Sequence, residues 1–221
     1  DGNSIVISPI KSIEDVRIVV ESDWSSASYF YSLVALSENL QITLGNFSEE
    51  SLQGDAALVQ LYNSLGVETV FNTSDDTISL SKKSIELPDS LLLNLANTPD
   101  LAQTIAVSCF GLGVSCRLTG LHTLKIKETD RLMALKTELE KLGASVQIDS
   151  NSLNLEKSLK ISKGIAVETY QDHRMAMAFA PLALKTEITI NSAGVVSKSY
   201  PKFWEDIEKT GVNCVFEQFK N

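Results

Sequence analysis

Basic side chains are in short supply: 19 lysines and arginines face 28 aspartates and glutamates, for a net charge of −9. A general DNA or RNA surface needs a positive field, so no nucleic-acid partner is expected. A small anion is still admissible, because a pocket needs only a few local cations. Cysteine is also sparse. Cys109, Cys116 and Cys214 are odd in number, sit in apolar or strand-like surroundings and lack metal-ligand spacing. They read as free thiols in a reducing compartment. The two histidines, His122 and His173, are 51 residues apart, so no metal is expected, and no cofactor either. No apolar run approaches the ~18 residues of a membrane-spanning helix, and no signal peptide is visible. The expectation is a cytoplasmic protein. The chain opens on Asp1-Gly2 without a methionine, which reads as a piece of a longer protein whose upstream partners are missing.

What is present is a repeat. Leu61–Val67, Leu139–Ser145 and Ile207–Asn213 are three versions of one helix end, each closing on a glycine: Gly66, Gly143 and Gly211. Upstream stand Asp23, Asp100 and Asp172, each at a helix start. Glycine spacings of 77 and 68 and aspartate spacings of 77 and 72 predict a threefold repeat of a βαβα-type unit in a mixed α/β body.

In copy one the pattern predicts strands over 16–20 and 41–44, helices over 25–36 and 52–65, and a hairpin over 67–71 and 77–80. In copy two it predicts a helix over 100–110, a strand over 115–118, a helix over 131–142 and strands over 146–148 and 153–155. Leu132, Leu135, Leu139 and Leu142 form one stripe of the second helix. Thr129 or Asp130 is its cap. Copy three has a helix over 172–184 flawed by Pro181, a strand over 187–190, a helix over 201–211 and an apolar-rich closing run over 212–216.

The most ionisable stretch is Lys125–Arg131, just before the strongest helix. Helix starts carry partial positive charge and favour acids, so Arg131 in a first turn is misplaced for helix stability. It is well placed to grip phosphate or carboxylate. Glu128 beside two lysines is a candidate proton donor or acceptor. The plain alternative is a solvated turn whose acids cap the helix. Asp172-His173-Arg174 repeats the pattern in copy three, where His173 could equally be a satisfied structural histidine, and Met175 and Met177 read as core. Asp100 follows Pro99 at the matching start in copy two and is either a cap or an acceptor for a substrate hydroxyl. Lys198 precedes the last helix; it suits a phosphate or is an ordinary exposed lysine. Gly111-Leu112-Gly113 is too incomplete for a nucleotide fingerprint. Ser25, Ser26 and Ser28 read as caps and small packing residues.

Lys127-Glu128-Thr129-Asp130-Arg131-Leu132, Asp172-His173-Arg174-Met175-Ala176-Met177 and Lys198-Ser199-Tyr200-Pro201 together resemble the C-terminal half of the 5-enolpyruvylshikimate-3-phosphate (EPSP) synthase family. Asp23–Phe30, Leu52–Asp55 and Pro99-Asp100 extend the resemblance over nearly the whole chain. It implies one domain of a two-domain enolpyruvyl transferase fold, an inside-out α/β barrel of three βαβαββ units, here approximately 1–87, 88–159 and 160–221. The other domain and an N-terminal strand would be absent. It implies transfer of the enolpyruvyl group of phosphoenolpyruvate to the 5-hydroxyl of shikimate 3-phosphate, in a protein that is monomeric when complete. By the same resemblance, Asp100 contacts the shikimate 5-hydroxyl, Glu128 transfers a proton near the phosphoenolpyruvate methylene and Lys127 is a shikimate-side contact. Arg131, Arg174 and Lys198 grip phosphoenolpyruvate, with His173 beside them. Thr123 departs from the asparagine that family members commonly carry there. Lacking the other wall of the site, the chain alone is expected to be inactive.

Three rivals make different predictions. A related transferase acting on a uridine-diphosphate amino sugar shares the Pro-Asp turn but not the Lys-Glu-Thr-Asp-Arg and Asp-His-Arg-Met pair. A non-enzymatic scaffold predicts that Lys127, Glu128, Arg131, Arg174 and Lys198 do not converge. An RNA-processing enzyme built from similar units would want a basic, aromatic-studded face, which this composition opposes.

Overall fold

A computed structural model describes residues 4–216. Helix α1 (Trp24–Leu36) leads to strand β1 (Gln41–Gly45), helix α2 (Leu58–Asn63) and the hairpin β2 (Val67–Asn72) and β3 (Thr77–Lys82). Next come β4 (Ser90–Asn94), α3 (Ala102–Leu112), β5 (Ser115–Thr119), α4 (Arg131–Lys141), β6 (Val146–Ile148) and β7 (Leu153–Leu155). The last group is β8 (Ile165–Val167), α5 (His173–Phe179), β9 (Ile188–Ile190) and α6 (Phe203–Glu208).

Helices α1, α3 and α5, which follow the three aspartates, pack on one another, and α1 and α3 also pack on the first and second sheets respectively. α1 is apolar on every side rather than amphipathic, and it is buried almost throughout. Small residues (Ser28, Ser32, Ala102, Ala106, Ala176 and Ala178) let these helices approach, and all are buried. Their hydroxyls are paired inside the core. Ser108 Oγ donates to Ser32 Oγ at 2.8 Å, Tyr62 Oη lies 2.8 Å from Ser108 Oγ, and Ser28 and Thr104 are 3.1 Å apart. A buried hydroxyl left unpaired would be costly, so this network specifies how the helices meet. Leu132, Leu135, Leu139 and Leu142 are all fully buried, as the stripe predicts. Gly66, Gly143 and Gly211 all have positive φ, as left-handed helix caps require.

The second sheet is the most complete. Its strand order is β4-β5-β7-β6, with β4 parallel to β5 and the remaining pairs antiparallel. The first sheet has the order β1-β3-β2, all antiparallel. The third is the parallel pair β8-β9. The element order from β4 to β7 is βαβαββ, and the flanking copies present shortened versions of it.

One expected strand does not form. Residues 16–20 belong to no sheet. Only their end is held, where Ser22 N donates to Asn46 O at 2.8 Å and Asn46 Nδ2 donates to the Val20 carbonyl. Ile5, Val6, Ile7, Ile10 and Ile13 upstream, and Val16 and Ile18 within the segment, are 72–90% exposed. Residues 212–216 likewise have no ladder, with Val215 and Phe216 exposed. Strand propensity describes a side chain that suits a half-buried pleat, and among the described residues neither segment has a hydrogen-bonded strand beside it to make one.

Three helices are shorter than expected. Residues 52–57 form an extended entry and a 3-10 turn, Gly54–Ala57, with the Gln53 side chain turned back to accept from Trp24 N. Pro181 converts the end of the 172–184 helix to a 3-10 turn, Ala180–Leu184. The last helix is confined to α6. Asp100 lies in a 3-10 turn, Pro99–Leu101, and caps nothing, so the capping alternative fails for it. Asp23, Asp130 and Asp172 do cap, accepting from Ser25 and Ser26, Met133 and Arg174 respectively.

Candidate active site

The starts of four helices meet around Asp100. Its Oδ1 accepts from Arg131 Nη1 at 2.8 Å and its Oδ2 from Arg174 Nη2 at 3.2 Å. Lys127 Nζ lies 3.6 Å from Oδ1. One carboxylate therefore bridges copies two and three. Arg174 also reaches Ser25 Oγ at 3.5 Å, at the start of α1. Ser25 in turn hydrogen-bonds the Asp55 carboxylate. Lys198 is exposed and donates to the Gln171 carbonyl at 2.7 Å, next to the α5 cap. Asp100, Lys127, Glu128, Arg131 and Arg174 thus form one contiguous cluster, with Lys198 tied to its edge. The scaffold rival predicted scatter.

Arg131 differs most from a freely presented cation. Its side chain is 1% exposed. Nε donates to Asp172 Oδ2 at 2.6 Å, Nη1 to Asp100 and Nη2 to Glu128. Asp172, 0% exposed, also caps α5 through Arg174 N at 2.9 Å. The misplaced charge at the α4 start is therefore compensated by three carboxylates. The cations open to an incoming anion are Arg174 (15% exposed), Lys127 and Lys198.

The electrostatics divide the acids. Burial raises the Asp100 pKa, but Arg174, Arg131 and Lys127 more than offset it, so its carboxyl ends below the usual value and is ionised at neutral pH. Burial raises Asp55, and the Ser25 hydroxyl and Arg174 only partly oppose this. Burial pushes the Tyr29 phenol to about 12, so it stays neutral beside Arg174.

Burial likewise lowers the His173 imidazole pKa, with Asp172 opposing and Arg174 adding to the drop. Its Nδ1 is buried without a hydrogen-bond partner. Because the folded value is depressed, the unfolded chain takes up this proton first as pH falls. The His173 contribution is therefore fully present above the unfolded value of 6.5 and is lost as pH falls toward the folded one. Urea titrations from pH 7.5 to 5 are expected to show a decline in stability that His173→Gln flattens; parallel curves would refute the assignment.

Asp55 and Asp172 escaped the sequence-based site. Asp55 has a signal in the Gly54-Asp55 pair, while the sequence presents Asp172 only as a cap. Thr123 Oγ1 and Gln103 Oε1 are also buried without partners, and Gln103 Nε2 lies 3.5 Å from Asp172 Oδ2. No group of acidic, histidine or cysteine side chains among the described residues is placed to hold a metal ion. No helix among them is long and apolar enough to cross a membrane.

A sequence model of EPSP synthase (3-phosphoshikimate 1-carboxyvinyltransferase) matches residues 1–207. Among curated relatives, the 3-phosphoshikimate 1-carboxyvinyltransferase of Bacteroides fragilis (strain YCH46) is 40% identical over 211 residues, covering 94% of this chain and 50% of the relative. That of Clostridium acetobutylicum is 34% identical over 210 residues, covering 94% and 47%. The solved EPSP synthase from Acinetobacter baumannii superposes with a TM-score of 0.71 at 22% identity, over 90% of this chain and 48% of that one. The enolpyruvyl transferase NikO from Streptomyces tendae gives 0.61 at 16% identity, over 89% and 44%. These structural likenesses establish the fold, a mixed α/β domain of the enolpyruvyl transferase type. The chain spans about half the length of the curated relatives it matches. With a family match over nearly all its residues and a site assembled from the stretches that carry the resemblance, the chain belongs to the EPSP synthase family.

Proposed function

We propose that this chain supplies one wall of an active site that transfers the carboxyvinyl group of phosphoenolpyruvate to the 5-hydroxyl of shikimate 3-phosphate, with release of phosphate. The observation that carries this reading is the Asp100 carboxylate held between Arg131 and Arg174. It is an ionised acceptor beside cations, placed to take a hydrogen bond from an attacking hydroxyl. Glu128, on the outer side of Arg131 and exposed, is the candidate to deliver a proton to the methylene carbon. Lys127 faces the shikimate phosphate side. Arg174 and Lys198 receive the phosphate and carboxylate of phosphoenolpyruvate. Arg131 orients Asp100 and Glu128 and joins the anion's contacts by exchanging one of those acids. His173, with its pKa lowered, is a neutral hydrogen-bonding group at the edge. Fixed donors of this kind follow charge as it moves to the leaving phosphate.

The chain is one of two parts in this reading. The four acids Asp55, Asp100, Glu128 and Asp172 match the four cations Lys127, Arg131, Arg174 and Lys198 in number, so binding two phosphorylated substrates calls for cations from elsewhere. The sheets support the same division. β8-β9 matches the parallel pair β4-β5, yet among the described residues no strand takes the position next to β9 that β7 takes next to β5. A cavity of about 590 Å³ lies there, bounded by Ile188–Asn191 on one side and Val212–Phe216 on the other. In this reading a further strand of the complete protein fills it. The exposed apolar arm upstream of Val16 would pack on that second part. The complete protein is read as a cytoplasmic monomer without a nucleic-acid partner.

The test is release of inorganic phosphate from phosphoenolpyruvate with shikimate 3-phosphate, using the complete protein and the 221-residue chain in parallel. Turnover is expected from the complete protein only. Comparable turnover by the chain alone would refute the two-walled reading. Activity with a uridine-diphosphate amino sugar but not shikimate 3-phosphate would replace the substrate assignment.

A further inference from the structure

The segment entering α5 holds a backbone shape that its residues do not favour. Tyr170 and Gln171 have φ of 54° and 59°, and Asp172 N donates to Thr169 O at 2.8 Å across them. A turn with both central residues left-handed ordinarily recruits glycine, asparagine or aspartate. A tyrosine there persists only if surrounding contacts impose the shape.

Those contacts come from Glu138. This carboxylate sits on α4, about two turns beyond Arg131, and is 0% exposed. Its Oε1 accepts from the Tyr170 hydroxyl at 2.6 Å and its Oε2 from Glu168 N at 3.1 Å. Lys141 compensates its charge and also donates to Ala166 O at 2.9 Å. α4 therefore grips the α5 entry at two levels: Arg131 on Asp172 at the site, and Glu138 on Tyr170 below it. Two attachment points fix a tilt that one would leave free. The left-handed turn also aims the Gln171 carbonyl at Lys198 Nζ.

We propose that Tyr170 and Glu138 are positioning residues. They hold the turn that sets the Asp172 cap, and through it they place Arg174 and Lys198 for an anionic substrate. Neither residue is among those that the motifs or the electrostatics of the cluster single out. The inference rests on the proposed function for its kinetic readout, and on geometry for the rest.

The experiment uses the complete protein and Tyr170→Phe, which removes one hydroxyl and keeps the ring. KM for phosphoenolpyruvate is expected to rise about 5- to 20-fold, a part of the roughly 10- to 150-fold that a full hydrogen bond to a charged group represents, because the bond acts on the site only through the turn; kcat should change less. Affinity for inorganic phosphate, measured by calorimetry on the same preparations, should fall in parallel. Adding Gln171→Gly, which accepts positive φ without strain, should recover part of both losses. A fall in melting temperature with KM and phosphate affinity within about twofold of wild type would overturn the proposal, leaving Tyr170 purely structural. If the wild type binds phosphate but does not turn over, the proposed function fails, and phosphate affinity alone then decides the positioning role. If the wild type binds no phosphate, the cradle itself is wrong and the positioning proposal falls with it.

Discussion

Asp100→Asn in the complete protein is expected to lower carboxyvinyl transfer by roughly 10²- to 10⁴-fold, the usual worth of a positioned proton-handling group. The amide is nearly isosteric, so the 3-10 turn Pro99–Leu101 should survive. What disappears is the charge. Arg131 Nη1 and Arg174 Nη2 each lose an ionised partner, at 2.8 and 3.2 Å, and the substrate hydroxyl loses an anionic acceptor. If Asp100 acts mainly in the transition state, kcat and kcat/KM fall together. If its main role is to restrain the two arginines, KM for phosphoenolpyruvate shifts instead. Steady-state kinetics on both substrates separates these outcomes, and a drop below tenfold would remove Asp100 from the chemistry.

Arg131→Ala is expected to be the most destabilising single change in the cluster. It strips Asp172, 0% exposed, of its Nε partner at 2.6 Å and releases Asp100 and Glu128. Leaving a buried charge without its partner costs about 3–5 kcal/mol. For a chain this long each kcal/mol is worth about 2–4 °C, so the melting temperature should fall by roughly 6–20 °C. The informative comparison is Arg131→Met with Asp172→Asn. Asparagine still accepts from Arg174 N as a cap, and methionine fills part of the space. The double variant should lose markedly less than the sum of the two single changes. Strict additivity in thermal unfolding would mean that the pair is not coupled.

Both expectations rest on contacts that were only partly readable in the chain. The caps at Asp23, Asp130 and Asp172, the leucine stripe of α4 and the glycine helix ends rest on residues at most ten apart, where backbone geometry alone decides which groups can meet. They were legible. So was the list of ionisable residues at helix starts. The partnerships were not. Arg131 meets Asp172 across 41 residues and Arg174 meets Ser25 across 149. Asp55 became visible only when Ser25 and Arg174 were placed beside it. The strand expected over 16–20 has suitable side chains but no pairing partner among the described residues. A strand is completed by its pairing partner, and propensity carries no information about where that partner lies.

The sequence by itself determined the repeat, the type of most elements and the short stretches in which charge gathers. Periodicity, capping and turn chemistry act over a few residues, and they act the same way in any fold. Tertiary structure alone decided that Arg131 is enclosed by acids while Arg174 and Lys198 stay accessible. It also decided that Tyr170 is bent into a left-handed turn by a carboxylate on another helix. Those outcomes depend on which helix starts converge, and convergence is set by close packing of α1, α3 and α5 from distant parts of the chain.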